Sequence, residues 1–240
     1  MRVQAEKLVK KFGWATALDE LSWEVEPGQI VAVLGANGAG KTTLLNALTG
    51  CLALDSGQVL LDGQPFTPDR GDLRRRFAFI PDFPPAPPNW TPLRFIGTLL
   101  KLYGVPTAGL EKRVLELLEK MDLLGVAGWK FRQLSHGQSY KAVLAAFLAA
   151  DPELWFVDEP FSSGMDPRGL NCFKEYAREA AGRGRTIIFT TQIIEVAEQF
   201  AHRICVLDQG QIKVYAESTR LRETPALNNL LSQLRESPKP

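Results

Sequence analysis

Four residues carry the first chemical signal in this 240-residue chain: Gly35, Gly40, Lys41 and Thr42 stand at the spacing G-x-x-x-x-G-K-T. At ordinary residue usage these positions coincide in roughly one chain in a hundred of this length, so the flanks decide. Ahead of them Gln29-Ile30-Val31-Ala32-Val33-Leu34 suits a strand buried on both faces, and Thr42 to Leu48 predicts a helix behind. Between strand and helix, Gly35, Gly38 and Gly40 let the backbone pass close to a polyphosphate. The amides from Ala36, Asn37 and Ala39 to Thr43 would face its oxygens, with the positive helix end behind them. Lys41 would bring a point charge to the β- and γ-phosphates, and the Thr42 hydroxyl a ligand for Mg2+.

Other polar residues stand at strand ends. Leu154-Trp155-Phe156-Val157 runs into Asp158-Glu159, Phe77 to Ile80 is followed by Asp82, and the strand Thr186 to Thr190 is followed by Gln192. Carboxylates at the carboxyl ends of parallel strands lie where open α/β sheets bind ligands, although such an acid can equally cap the next helix. Ser135 and Gln138 satisfy an S-x-x-Q capping box before an Ala-rich helix over 138–150, which by itself marks only a helix start. Phe12, on a predicted loop with Gly13, either stacks on an adenine or fills the core.

Alternation predicts half-buried antiparallel strands at 2–9 and 21–26, and a short strand at 57–61 with a turn at Asp62-Gly63. The proline-rich run 81–90 opens a purely helical stretch: Thr91 caps a helix to about Gly104, and a second spans roughly 110–124. Phe83 and Trp90 are expected to be exposed on this stiff loop. The α/β pattern then returns, with a helix from Asp166-Pro167 to about 181, another at 193–201, and strands at 204–207 and 212–215. Residues 216–240 suggest an amphipathic helix and tail.

With 28 basic and 27 acidic side chains the net charge is +1, which gives no field toward nucleic acid or an anionic membrane; Arg74-Arg75-Arg76 is expected to be solvated. Cys51, Cys172 and Cys205 are too few for a disulfide framework or zinc site and predict reduced thiols. The amino terminus lacks a signal-peptide pattern, and no apolar run approaches the ~20 residues needed to span a bilayer.

In order and spacing these motifs resemble the ATP-binding subunit of an ABC transporter over nearly the whole chain, with an ABC-2 exporter flavour in Thr91-Pro92-Leu93 and Leu102-Tyr103-Gly104. The matching elements are Phe12-Gly13, the Walker A loop (Gly35 to Thr43), the switch position Asp82, the signature Leu134 to Gln138, Walker B with Asp158-Glu159, and a D-loop at Ser163 to Pro167. The resemblance implies an α/β P-loop NTPase core with a mostly parallel sheet, an amino-terminal antiparallel β subdomain and an inserted helical subdomain. Its boundaries would be 1–82 and 152–215 for the core, 83–151 for the insert and 216–240 for a carboxyl-terminal helix and tail.

It further implies MgATP hydrolysis in a head-to-tail pair of such subunits, most simply two copies. Asp158, Asp82 and Thr42 would hold Mg2+, Glu159 would be the base, and Ser135, Gly137 and Gln138 would serve the other chain's nucleotide. The transport partner would be a separate transmembrane subunit, through which this cytoplasmic chain sits at the inner face of the cell membrane. Three positions depart from the family pattern: His136 replaces a glycine, Asp82 a glutamine, and Gln192 the histidine that contacts the γ-phosphate. Gln192 keeps a second alternative open, a regulatory subunit with little turnover; a third is a soluble relative acting on nucleic acid or ribosomes.

Overall fold

The computed structural model describes residues 1–219. Two sheets share the chain. The smaller is antiparallel, formed by β1 (Val3–Phe12), β2 (Ala15–Val25), β4 (Ser56–Leu61) and β5 (Gln64–Pro65) in the order β2-β1-β4-β5. The larger contains β3 (Ile30–Leu34), β6 (Phe77–Ile80), β7 (Leu154–Val157), β8 (Thr186–Thr191), β9 (Arg203–Asp208) and β10 (Gln211–Glu217), in the order β10-β9-β3-β8-β7-β6. All its pairs are parallel except β9 with β10.

Side-chain alternation splits β3 between two cores. Ile30, Ala32 and Leu34 join the apolar cluster on the helical face, whereas Val31 and Val33 join the one shared with the antiparallel sheet. With both faces covered, every residue of β3 and β7 is buried, hence their continuously apolar sequences. α1 (Lys41–Leu48) leaves the phosphate loop toward the second of these cores.

Between β6 and β7 the described chain is helical: α3 (Pro92–Leu102), α4 (Leu110–Lys120), two single 3-10 turns at Leu124–Val126 and Phe131–Gln133, then α5 (His136–Ala150). α5 is apolar nearly all round because it is covered by the sheet on one side and by α3 and α4 on the other. Thr91 caps α3 by accepting from the Arg94 amide at 3.2 Å, with Pro92 in the first turn, as its sequence predicts. α6 (Pro167–Gly182) and α7 (Ile194–Phe200) complete the helical face.

Several expectations are corrected. β1 continues to Phe12, so that residue ends a strand instead of sitting on a loop, and β2 begins at Ala15 instead of 21. Bulges explain the error: the β1–β2 register shifts between Ala5 and Leu8 and again on either side of Lys10, while Lys7 and Glu20 have φ near 48° and 45°, which breaks strict alternation. α4 stops at Lys120 because Asp122, at φ 56°, turns the chain out of the helix. A short helix, α2 (Gly71–Arg74), and β5 were not expected.

Arg76 is not a solvated helix end. Its guanidinium bridges Asp62 at 2.6 Å and Glu153 at 2.7 Å, tying the turn after β4 to the start of β7. Trp90 is half-buried instead of exposed, packed on the helical core with the Arg94 guanidinium 4.4 Å from its ring. Phe83 is exposed at 74%. Of the helix and tail expected at 216–240, the first two residues continue β10 and everything beyond 219 lies outside the described residues.

Candidate functional site

Strand register brings the separate motifs to one edge. Leu34 pairs with Thr191, Val157 with Phe189, and Ile80 with Val157, so the segments after β3, β8, β7 and β6 emerge side by side. There they line a cleft of about 290 Å³ that contains Ala36, Asn37, Gly38, Gly40, Lys41, Thr42 and Thr43 with Asp82, Asp158, Glu159 and Gln192. Gly35 and Ala39 shape the loop from behind; Ala39 is buried.

Gly40 shows why the loop has its sequence. Its φ is 106°, and a Cβ there would come within 2.5 Å of the Ala17 carbonyl oxygen, so neither the conformation nor the space admits another residue. This close crossing of β2 also puts Ala17 in the cleft wall. No motif in the sequence pointed to Ala17.

Lys41 is almost fully buried at 6% exposure. Its ammonium donates to the carbonyls of Gly35 at 2.9 Å and Ala36 at 3.2 Å and stands 3.3 Å from Glu159 Oε1. Across the cleft, Thr42 Oγ1 donates to Asp158 Oδ2 at 2.9 Å and Thr190 Oγ1 to Asp158 Oδ1 at 2.6 Å. Thr190 Oγ1 also accepts from the Glu159 amide at 2.8 Å, fixing both acids through one hydroxyl. The sequence holds no separate signal for Thr190, one of three threonines in buried β8. Gln192 reaches Glu159 Oε1 with its amide nitrogen at 3.4 Å, on the same rim.

Burial and then the charge of Asp158 hold the Asp82 carboxyl above the usual carboxylate range. Two acids crowding beside a threonine hydroxyl form a hard oxygen set that fits Mg2+. Among the described residues no three His, Cys, Asp or Glu side chains converge into a cage.

Ser135, Gly137 and Gln138 do not line this cleft. They form the amino end of α5, where both bonds of the capping box are present: Gln138 N to Ser135 Oγ at 3.2 Å and Ser135 N to Gln138 Oε1 at 2.9 Å. Gly137 is required by packing, since a Cβ there would run into the Gly164 carbonyl of the segment after β7. Phe12, 52% exposed with the Lys10 ammonium 5.5 Å from its ring, is also outside the cleft lining.

Residues 18–162 match the family model for the ABC transporter. The Nod factor export ATP-binding protein I of Paraburkholderia xenovorans is 34% identical over 209 residues, covering 87% of this chain and 68% of that protein. Its namesake in Ralstonia nicotianae is 32% identical, covering 98% and 77% respectively. Among solved structures, an ATP-binding subunit of an ABC transporter superposes with TM-score 0.89 at 24% identity, over 98% of this chain and all of that one. A dimeric ATP-binding cassette in a post-hydrolysis state, bound to ADP and Pi, superposes at 0.79 with 26% identity, over 90% and 98%.

Proposed function

The chain belongs to the ABC transporter family as an ATP-binding subunit, and from that premise we propose that it hydrolyses MgATP between two head-to-tail copies to drive a separate membrane-spanning exporter subunit. The observation that carries this reading is the convergence of Lys41, Thr42, Asp82, Asp158, Glu159 and Gln192 on one cleft while the amino end of α5 lies elsewhere on the chain. In that reading Lys41 takes the β- and γ-phosphates, and the base stacks on Phe12. Ser135, Gly137 and Gln138 of the other copy close over the γ-phosphate. Thr42, Asp158 and Asp82 would hold Mg2+, which when bound supplies positive charge against the phosphoryl oxygens. Glu159, oriented by Lys41 and Gln192, accepts the proton of the attacking water. Gln192 can donate a hydrogen bond but cannot titrate, which favours slow turnover over none.

Among the described residues no helix is long and apolar enough to cross a membrane, so the membrane would be reached through the partner, at its cytoplasmic face. The partner's contact is supported by an amphipathic cleft of about 410 Å³ lined by Cys51, Arg74, Arg75, Leu102 and Tyr103, with Leu102 65% exposed. Trp90 offers no such surface, since that indole is packed on its own helices.

Glu159→Gln tests the core of the reading. A positioned base contributes ~10²–10⁴-fold, so turnover should fall by that factor and MgATP should convert the variant from monomer to dimer on size-exclusion chromatography. A variant that binds MgATP and stays monomeric at high concentration would refute the two-copy site.

A further inference from the structure

The net charge of +1 hides an uneven distribution. Residues 83–110 and 123–150 contain no acid at all, although the chain carries 27. Arg94, Lys130 and Arg132 lie in these stretches and are exposed. The ion pairs of the region engage Lys112, Lys120, Lys141 and Arg168 instead, the last with Asp122, the acid nearest to Lys130 along the chain. Among the described residues none engages Arg94, Lys130 or Arg132; the Arg94 guanidinium lies 4.4 Å from the Trp90 ring, which leaves its charge uncompensated.

Folding laces the two stretches together. The amides of Leu93, Phe131 and Arg132 donate to the carbonyls of Ala127, Trp90 and Pro88 at 3.3, 2.9 and 3.1 Å, and the turn between is closed by Trp129 N donating to the Val126 carbonyl at 2.9 Å. Pro92, Ala127 and Phe131 are buried in this junction. Leu93, Leu124 and Trp129, one to three residues away from them, stay 47, 47 and 52% exposed. Two leucines and an indole thus stand on a braced platform beside three uncompensated cations, and neither the nucleotide cleft nor the cleft beside Leu102 includes any of the six.

We propose that this face of the helical region between β6 and β7 binds an anionic phospholipid surface directly: Trp129, Leu93 and Leu124 enter the headgroup layer while Arg94, Lys130 and Arg132 pair with lipid phosphates. An indole suits that layer because its ring is apolar and its N–H polar. Each Lys or Arg held at an anionic leaflet raises affinity about fivefold, and the acid-free flanks add no repulsion. A protein partner would have to place carboxylates at matching points, whereas a fluid leaflet supplies phosphates wherever the cations fall. The contact needs no partner subunit and adds to the attachment proposed above.

Sedimentation of the full chain with vesicles of phosphatidylglycerol and phosphatidylcholine, against vesicles of phosphatidylcholine alone, tests this. Wild type should sediment with the anionic vesicles only and be released by salt. Lys130→Gln/Arg132→Gln should weaken binding on the order of thirtyfold and Trp129→Ser on the order of tenfold, each with unchanged affinity for a fluorescent ATP analogue, which verifies the fold. Brominated acyl chains should quench part of the emission of the five tryptophans, and Trp129→Phe should remove most of that quenching.

No binding, equal binding to both kinds of vesicle, or binding that survives both variants overturns the proposal. So does a wild type that ignores vesicles while Trp129→Ser loses the membrane subunit on co-purification, because the face would then belong to a protein. The vesicle assay contains no partner, so failure of docking at the cleft beside Leu102 leaves its result standing.

Discussion

α1 and α5 both begin at glycine-bearing turns, yet their amino ends are finished in opposite ways. α1 is preceded by Gly40 in a left-handed conformation, and no side chain covers its amides. α5 is closed by its own side chains, with Ser135 and Gln138 bonded to each other's backbone. A helix end always leaves unpaired amides; at α1 they open into a cleft walled by four strand ends, whereas the amino end of α5 does not line that cleft. On the proposed head-to-tail reading, one chain would carry two unlike halves of a site. The half within the cleft is left uncapped, and the half that would meet another molecule is closed by a cap that takes up the Ser135 and Gln138 amides.

The two helix ends differ most in their dependence on Lys41. Lys41→Ala removes the cation that lines the cleft at the α1 end and leaves buried Glu159 without it, so tight MgATP binding should be lost altogether in a titration with a fluorescent ATP analogue. Unchanged affinity would mean that the α1 end is not the phosphate site.

Ser135→Ala sharpens the contrast from the other side. Loss of a cap costs about 1 kcal/mol, which a thermal melt would register. ATP binding to the monomer should be untouched, while a Glu159→Gln background should no longer give a dimer with MgATP. Equal loss of binding and dimer would deny that the two helix ends have separate tasks.

The smallest effect is expected at the cleft rim. Gln192→His restores a titratable donor beside Glu159, and a hydrogen bond from a charged instead of a neutral donor differs by about 1 kcal/mol. Phosphate release should rise several-fold with ATP affinity nearly unchanged. Identical rates in wild type, Gln192→His and Gln192→Ala would remove Gln192 from the chemistry.

What could be seen in the sequence followed the locality of the interactions. The strand, loop and helix from Ile30 to Leu48 lie in one continuous run, and the Ser135–Gln138 box spans four residues, so both were legible. Asp158, Glu159 and Gln192 could be placed on one edge because parallel strands impose it. Ala17 and Thr190 could not, since one enters by a strand crossing and the other through a single hydroxyl that joins two acids. The start of β2 was hidden by bulges that disturb the alternation on which strand prediction depends. Trp90 stands on a stiff loop where exposure is expected, but its surroundings are set by Phe131, whose amide bonds to the Trp90 carbonyl at 2.9 Å from far along the chain.

The pairing of Phe77 with Leu154 and Ile80 with Val157 has a consequence for how the chain can vary. Everything between β6 and β7 departs from and returns to neighbouring points of one sheet, so to that sheet it is a single long closure. The entropy of such a closure grows only with the logarithm of its length, about 0.6 kcal/mol for each doubling. Helices can accordingly be lengthened, trimmed or exchanged between residues 81 and 153 with little thermodynamic consequence for the strands, provided their own core stays filled. Diversity among chains of this fold would accumulate there at small cost to the rest.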